Sequence, residues 1–260
     1  MADRNNNDSL GGAAETPMLV TGGSKGIGRA IAVHFARPGK SILINYAHDD
    51  GAARATASEV SARGGTPHLI KLDLSEPGAP AALITEVGKT TDKLGQIVHC
   101  AVYPVSSPAL KISVDDFERA TRLNGAALLY LVQAALPLLS GGSTIFFLSS
   151  RGSKVAVPNY VAIGAPKAMG EALVRYLAVE LAPRGVRVHI VSASALLTDA
   201  FRAAVPNPDE RFAAAAANNP SRRNLTFEDV SMAVEFLASD RAQMITGREL
   251  FIDGGLYVKA

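Results

Sequence analysis

The sequence predicts an α/β fold built on one parallel, doubly wound sheet of about seven strands, with helices on both faces. The first observation is that short apolar runs alternate with stretches of helical periodicity from position 17 onward. The second is a glycine-rich segment that separates the first apolar run from the first helical stretch. Strands that alternate with helices are typical of parallel sheets whose two faces are both covered.

The apolar runs give the strands in chain order, and we expect each strand to be buried on both faces because it lacks polar alternation. The predicted strands span 17–22, 41–46, 68–74, 96–102, 143–150, 186–193 and 249–253.

Helices are predicted between these strands. Apolar residues that recur at helical spacing include Ile27, Ile31, Phe35, Leu173, Leu177 and Leu181. Two helix starts are indicated by Ser113 with Asp116 and by Thr226 with Asp229, because a hydroxyl can cap the helix and an acid in the first turn favours its dipole.

Composition and charge restrict the class of protein. The chain has 260 residues, of which 48% are apolar, and a formal net charge of +2 without basic blocks. These values favour one globular domain over 17–260 with a small-molecule partner, and not a nucleic-acid or membrane partner. The single cysteine, and the lack of a signal peptide or a long apolar run, predict a cytoplasmic protein. Residues 1–16 are small and polar, so we expect a flexible N-terminal tail.

The segment TGGSKGIG, residues 21–28, follows the first strand and precedes an amphipathic helix. Glycine lets the backbone approach a pyrophosphate closely, and the free amides at the start of the helix attract the anion. Gly22, Gly26 and Gly28 could instead only form a tight turn. Their place between a strand and a helix favours dinucleotide binding in a Rossmann-type fold.

The end of the second strand decides which dinucleotide is bound, because an acid there would accept from the ribose 2′-hydroxyl and repel a 2′-phosphate. Asn45 stands at this position, and Lys25 in the loop could contact a phosphate, so NADPH is favoured. Lys25 could also be only a solvated cation. Asp73, at the end of the third strand, could accept from the adenine amine or cap the next turn.

Tyr160 and Lys167 lie seven positions apart, with Pro166 between them. On a regular helix they would differ by about 20° in direction and about 10.5 Å along the axis, so both could face one ligand. Proline fits the first turn of a helix and clashes in the interior, so we expect this helix to begin, or to be irregular, near 164–166. The alternative is an apolar anchor and an unrelated surface cation.

The segments TGGSKGIG, FLSS, VRVHIVSA and ITGRELFIDGG, together with Asn124, Tyr160 and Lys167, resemble the short-chain dehydrogenase/reductase superfamily over about residues 17–256. Most of that family separates the tyrosine from the lysine by three residues, whereas six intervene here and position 164 is glycine. The longer spacing is that of the enoyl-[acyl-carrier-protein] reductases. AVPNY and RYLAVELAP are also similar to those enzymes, particularly to the bacterial NADPH-dependent class with serine at the Ser150 position.

The resemblance implies hydride transfer from NADPH to the β-carbon of an enoyl thioester. Tyr160 would stabilise the enolate, and Lys167 would bind the nicotinamide ribose and lower the pKa of the tyrosine. Ser150 would bind substrate oxygen or merely end its strand. Asn124 would hold a water or a carbonyl near the lysine, or have a structural role. The implied cofactor contacts are Gly22, Ser24, Lys25, Gly26, Ile27, Gly28, Asn45, Asp73, Leu74, Ala101, Lys167 and Thr198.

The chain departs from the family pattern in two places. HCAV at 99–102 stands where NNAG is usual, and SAS at 192–194 stands where many relatives have Pro-Gly. His99 and Cys100 are neighbours on a strand and point to opposite faces, so we expect no metal site and interpret Cys100 as a small core residue. Thr198 could cap a helix as readily as it could bind the nicotinamide carboxamide.

Residues 195–223, with the alanine-rich segment 211–223, lie between the last two strands and are the predicted substrate lid. Three functions remain open: an NADPH-dependent enoyl reductase, a ketoreductase for a polyketide or 3-oxoacyl substrate, and a non-catalytic NADP-binding protein. The substrate would be a small molecule or a carrier-bound acyl group. Relatives of this fold commonly form tetramers, and the apolar segment 128–139 would suit such an interface or the core equally well.

Overall fold

A seven-stranded, all-parallel sheet forms the centre of the protein in the computed structural model, which describes residues 16–258. The strands are β1 (Met18–Thr21), β2 (Ser41–Tyr46), β3 (Thr66–Lys71), β4 (Gln96–His99), β5 (Thr144–Ser150), β6 (Arg187–Ala193) and β7 (Glu249–Ile252). Their order is β3-β2-β1-β4-β5-β6-β7, which confirms the predicted doubly wound fold. The proposed N-terminal tail lies outside the described residues except for its last position.

Nine α-helices accompany these strands over the described range. They are α1 (Gly26–His34), α2 (Asp50–Ala62), α3 (Ala79–Gly88), α4 (Val114–Thr121), α5 (Ala127–Ala135), α6 (Val161–Leu181), α7 (Asp199–Ala204), α8 (Pro208–Asn218) and α9 (Phe227–Ala238). The two helix caps predicted from sequence are confirmed. Ser113 accepts a hydrogen bond from the Asp116 amide at the start of α4, and Thr226 forms a reciprocal capping box with Asp229 at α9. Across residues 16–258, no helix combines the length and apolar character needed to cross a bilayer.

Two apolar cores lie on opposite faces of the sheet, because successive strand residues point in opposite directions. Leu19 of β1 belongs to the core that α3, α5 and α6 cover, whereas its neighbours Met18 and Val20 belong to the core that α1 and α9 cover. The five inner strands are buried almost throughout. The expectation of burial on both faces is wrong for β3 and β7, because each is an edge strand with no neighbour beyond it.

Helix α6 begins at Val161, so a start near 164–166 is wrong, but Pro166 lies inside the helix, which agrees with the alternative of an irregular helix there. Proline lacks the amide hydrogen that would bond the carbonyl four residues earlier, which is that of Ala162. The Asn124 Nδ2 donates to this carbonyl at 2.9 Å. Asn124 can reach it from a short π-helical segment, Arg122–Ala126, that joins α4 to α5. A side chain from another helix thus replaces the missing hydrogen bond.

Candidate active site

The strand order reverses between β1 and β4. The carboxyl ends of β1, β4, β5 and β6 lie at this edge of the sheet. Ligands of open α/β sheets bind in the crevice at such a switch point. Most of the sequence-predicted site residues lie at this edge. A cavity of about 120 Å³ there is bounded by residues from the ends of these strands and from the loops and helices that follow them, among them Ile27, Cys100, Ser150, Tyr160, Lys167 and Thr198.

The glycine-rich loop passes close to the end of β4. Gly22 has a φ of +62°, and a Cβ at this position would lie 2.8 Å from the Ala101 Cα, so only glycine fits. Helix α1 starts within the loop at Gly26, and in the part of the chain described its first turn has no side-chain cap. Thr56 Oγ1 fixes the loop by donating to the Ser24 carbonyl at 2.9 Å. The close backbone and the uncapped amides fit a dinucleotide pyrophosphate.

Two residues that were predicted to contact the adenosine end of the cofactor have side chains that contact other parts of the protein instead. Asn45 is 1% exposed, and its Nδ2 donates to the carbonyls of Ile70 at 3.3 Å and Leu72 at 2.9 Å. Its side chain therefore braces β3, which corrects the expectation that it faces the ribose. Leu74 is buried in the core, so its side chain is not available to a cofactor either.

Asp73 forms the turn after β3. Its Oδ1 accepts from the Ser75 amide at 2.9 Å and from the Ser75 hydroxyl at 2.7 Å, and its Oδ2 accepts from Arg119 at 2.7 Å. Burial opposes ionisation of this carboxyl, but the hydrogen bonds from Ser75 and the charge of Arg119 outweigh it and lower the pKa of Asp73. Asp73 thus caps the turn through Oδ1, as one of the two sequence interpretations expected, and its Oδ2 is paired with Arg119.

Lys25 is paired with two carboxylates that sequence reasoning did not identify. Its Nζ lies 2.6 Å from Asp49 Oδ2 and 3.1 Å from Asp199 Oδ2. Hydrogen bonds to Asp49 and then Asp199 raise the pKa of Lys25. Asp49 caps α2, four residues beyond Asn45, so a carboxylate does stand near the end of the second strand. The sequence indicates Asp49 only as a possible cap of α2, and this position gives no sign of a contact with Lys25 in the glycine-rich loop.

Tyr160, Ser150 and Lys167 line the same cavity. Tyr160 is the last residue before α6, and its hydroxyl donates to Ser150 Oγ at 3.3 Å. Lys167 is 8% exposed, and its ammonium donates to the Leu148 carbonyl and lies 5.2 Å from the centroid of the Phe147 ring. The structure thus brings together the tyrosine and lysine that the resemblance singled out.

Burial raises the pKa of Tyr160, and its hydrogen bond with Ser150 only partly offsets this effect. Lys167 is not among the groups that shift the pKa of Tyr160 in this structure, so the expected lowering of that pKa by Lys167 stays a prediction. Burial also lowers the pKa of Lys167 to about 8. The lysine ammonium is directed at the Leu148 carbonyl, and desolvation of both groups dominates their titration.

The unusual spacing of the pair has a steric explanation. Four residues after Tyr160, the Cα of Gly164 packs against the backbone of Gly152, and a Cβ there would overlap the Gly152 carbonyl oxygen. A lysine therefore does not fit at the position that is usual in the family. Four residues before Lys167 stands Ile163, which lines the same cavity and offers no hydroxyl. Tyr160 is thus the tyrosine that the cavity places with Lys167.

Asn124 and Thr198 have structural partners. The Oδ1 of Asn124 accepts from the Tyr103 amide at 2.8 Å, while its Nδ2 donates to the carbonyls of Tyr103 and Ala162. This fully buried side chain therefore has the structural role that the sequence left open. Thr198 caps α7 by accepting from the Phe201 amide at 3.0 Å, and it also lines the cavity.

Within residues 16–258, no cluster of three or more His, Cys, Asp or Glu side chains includes His99 and Cys100. His99 Nε2 lies 3.0 Å from the Leu123 carbonyl, which can only accept, so Nε2 carries the proton and Nδ1 accepts from Thr21 at 2.9 Å. Burial lowers the pKa of His99 to about 4 and raises the pKa of Cys100 to about 12. The histidine is thus a neutral brace between β1, β4 and the Asn124 segment.

Glu171 was not identified from sequence. It is 2% exposed and lies one helical turn after Lys167 on α6. The hydroxyl of Ser149, next to Ser150, donates to its carboxylate, and Lys154 forms an ion pair with it and with Glu249. Its four-residue spacing from Lys167 was the available signal. Glu171 thus holds the end of β5 against α6.

A larger cavity of about 330 Å³ opens beside Ser150 and Tyr160. Its far wall is formed by α7 and α8, which are the helical part of the predicted lid at 195–223. The structure gives these residues a position over the cavity. Their movement remains a prediction.

Comparison with known proteins agrees with this arrangement. Residues 22–257 match the family model described as enoyl-(acyl carrier protein) reductase. The chain is 32% identical over 245 residues to 1-cyclohexenylcarbonyl-CoA reductase of Streptomyces collinus, covering 93% of this chain and 87% of the relative. It is 30% identical over 253 residues to the NADH-dependent enoyl-[acyl-carrier-protein] reductase FabI of Escherichia coli, covering 94% of both.

A crystal structure of a short-chain dehydrogenase from Burkholderia cenocepacia in complex with NADP superimposes with a TM-score of 0.85 at 27% identity, covering 94% of this chain and 98% of that one. The shared fold, the matching family model and the two relatives agree. The chain therefore belongs to the short-chain dehydrogenase/reductase superfamily, whose members are oxidoreductases that bind a nicotinamide cofactor.

Proposed function

We propose that the protein is an NADPH-dependent reductase that directs hydride to the β-carbon of an α,β-unsaturated acyl thioester or a related enone. The observation that carries this proposal is the presence of Tyr160 and Lys167 in one cavity at the six-residue spacing, with glycine and isoleucine at the positions that would allow a shorter spacing. The relative from Streptomyces collinus, named for reduction of a cyclohexenylcarbonyl thioester, supports the same class of substrate.

The chain's own residues would bind and polarise the substrate. The reduced nicotinamide, when bound, supplies the hydride. Lys167 would hold the nicotinamide ribose hydroxyls, and Tyr160 would donate a hydrogen bond to the thioester oxygen as negative charge develops there. Because burial raises the pKa of Tyr160, its phenol stays protonated at neutral pH and can act as a hydrogen-bond donor. A preorganised donor stabilises such charge more strongly than water does, because it needs no reorientation as the charge develops.

A second candidate is a ketoreductase, and the hydrogen bond between Tyr160 and Ser150 favours it. Two adjacent hydroxyls, 3.3 Å apart, could bind one carbonyl oxygen. A non-catalytic NADP-binding protein is the third candidate.

A substrate panel separates the candidates. We expect NADPH consumption with crotonyl-CoA and a longer trans-2-enoyl thioester, and none with the matched 3-oxoacyl thioester. Turnover of the 3-oxoacyl thioester alone would establish the ketoreductase. Cofactor binding without consumption of NADPH by any of the three would establish the non-catalytic protein.

The proposal of NADPH over NADH depends on Lys25. Its ammonium lies at the start of α1 and could exchange Asp49 for a 2′-phosphate. We expect Lys25→Ala to raise the KM for NADPH by about 10- to 100-fold, as loss of one charge-assisted hydrogen bond predicts, and to change the KM for NADH little. Lys71→Ala is the matched control, since Lys71 pairs with Asp50 at the same edge of the sheet. Equal losses with both cofactors, or no loss with NADPH, would contradict the assignment.

We also propose a cytoplasmic homotetramer that acts on a small-molecule or carrier-bound acyl substrate. Large apolar side chains are exposed on two separate faces of the described chain. Tyr176 and Val179 project from α6, and Met232 and Phe236 project from α9. Two self-complementary faces on one chain would generate a tetramer. Sedimentation at the mass of one 27.1 kDa chain would contradict this.

A further inference from the structure

The larger cavity, beside Ser150 and Tyr160, is mostly apolar but contains two arginines. Its charged lining residues are Arg151 and Arg211, and no aspartate or glutamate lines it in the described part of the chain. An apolar cavity with a few charged groups is typical of a ligand site in which those groups recognise one part of the ligand. The cavity thus has positive charge at a short distance from the proposed reacting centre.

Arg151 directly follows Ser150, and its side chain packs against the Tyr257 ring. Its guanidinium carbon lies 5.7 Å from the centroid of the Tyr257 ring, a cation–π arrangement that restricts its orientation. Three carboxylates, those of Glu171, Glu249 and Asp253, have other partners, although one oxygen of Glu249 is buried without one. Glu171 and Glu249 pair with Lys154, and Asp253 accepts from backbone amides at 3.0 and 2.8 Å.

Arg211 reaches the cavity from the opposite wall. The residues of α8 that line the cavity recur at intervals of three and four, so they form one face of the helix: Arg211, Ala214, Ala215 and Asn218. The two alanines leave room between the polar ends of this face. A ligand that enters beside Ser150 would therefore pass along α8 toward a guanidinium.

Neither arginine has a carboxylate partner within residues 16–258. Arg29, Arg202 and Arg223 each have a carboxylate oxygen within 3.0 Å, whereas Arg151, Arg211 and several other exposed arginines of the described chain have none. Guanidinium groups bind carboxylates and phosphates through paired hydrogen bonds, which makes arginine the preferred residue for these anions. Of the arginines without a described carboxylate partner, Arg151 and Arg211 are the two that line this cavity, so an anionic group of a ligand would find both there.

We propose that Arg151 and Arg211 form an anion-binding subsite of the substrate cavity and that the substrate carries a carboxylate or a phosphate away from its reacting carbon. This inference rests on the proposed function, since it places the reacting carbonyl at Tyr160 and the anion along α8. The anion would come either from the acyl chain, as a carboxylate, or from the carrier, as a phosphate of a pantetheine-linked thioester.

Binding of three unreactive thioesters tests the subsite without turnover. Butyryl-pantetheine is neutral, glutaryl-pantetheine adds a carboxylate to the acyl chain, and butyryl-CoA adds phosphates to the carrier. Dissociation constants would be measured by calorimetry on the full chain, saturated with whichever oxidised nicotinamide cofactor binds more tightly. We expect at least one anionic thioester to bind at least tenfold more tightly than the neutral one. Which of the two does so identifies the source of the anion.

The Arg151→Ala, Arg211→Ala double variant should remove this advantage and leave binding of butyryl-pantetheine within about threefold. Arg211→Lys keeps the charge and should retain part of the advantage, whereas Arg54→Ala, on helix α2, should retain all of it. Equal binding of the three thioesters, or an advantage that survives in the double variant, would overturn the subsite. Because these ligands are not reduced, a subsite that binds anions in a chain without enoyl reduction would disprove only the proposed reaction.

Discussion

Replacing Tyr160 with phenylalanine is expected to lower kcat for an enoyl thioester by about 10²- to 10⁴-fold, the range for loss of a positioned proton or hydrogen-bond donor. The ring stays, so packing against Ile163 and Phe201 is preserved. Only the hydroxyl that points to Ser150 is removed. Because the cofactor would contact Lys167 and the glycine loop instead of the phenol, its dissociation constant should change by less than about threefold.

Stopped assays of NADPH oxidation, together with cofactor titration, measure the two quantities separately. Tyr176→Phe is the matched control, since Tyr176 lies on the same helix with its side chain exposed, and it should retain full activity. Ser150→Ala should cause a smaller loss than Tyr160→Phe if Ser150 orients the phenol. If the Tyr160→Phe protein kept more than a tenth of wild-type turnover, Tyr160 would not be the donor to the substrate.

Gly164→Ala is expected to destabilise the protein, although alanine is the better helix former. The helix propensity of alanine favours the variant by about 1 kcal/mol. The added Cβ, however, overlaps the carbonyl oxygen of Gly152, which is rigid backbone, and overpacking of this kind costs about 1–3 kcal/mol and occasionally more. Over most of this range the clash outweighs the propensity, giving a net loss of up to about 2 kcal/mol and a Tm lower by up to about 8 °C.

The activity of Gly164→Ala should fall as well, because Gly152 also packs against the Tyr160 ring and its displacement would move that ring. Gly88→Ala is the matched control. Gly88 ends α3, and a Cβ there would meet no atom within 4 Å, so the change should be neutral or slightly stabilising. Thermal unfolding of the two variants checks the comparison. A Gly164→Ala protein as stable as wild type would show that the 151–153 turn moves freely.

The fold could be predicted because its signals are local. Apolar runs and helical periodicity indicated all seven strands and the helices between them, and two caps were predicted to the residue. The edge positions of β3 and β7 depend on strand order, which the apolar runs do not contain. Thr66–Lys71 is consequently half-exposed although its sequence resembles that of a buried strand.

The site was predicted less completely, because its contacts join residues that are distant in sequence. Tyr160 and Lys167 were found through a motif, whereas the partners of Lys25 come from two other loops, at Asp49 and Asp199. Asn45 was expected to face the cofactor, but a polar residue at a strand end can also brace the neighbouring strand. The motif likewise predicted that the lysine lies beside the tyrosine, but it contains no information on the burial that raises the pKa of Tyr160.

The hydrogen bond from Asn124 to the Ala162 carbonyl makes Pro166 tolerable within α6. Each of these two residues therefore sets the conditions under which the other can change. If Asn124 is lost while Pro166 is present, the buried Ala162 carbonyl has no hydrogen-bond donor. If alanine stands at position 166, its backbone amide can donate to the Ala162 carbonyl within the helix. In the divergence of this family, replacement of Pro166 should accordingly remove one of the constraints on Asn124, whereas the hydrogen bonds of Asn124 with Tyr103 would still constrain it.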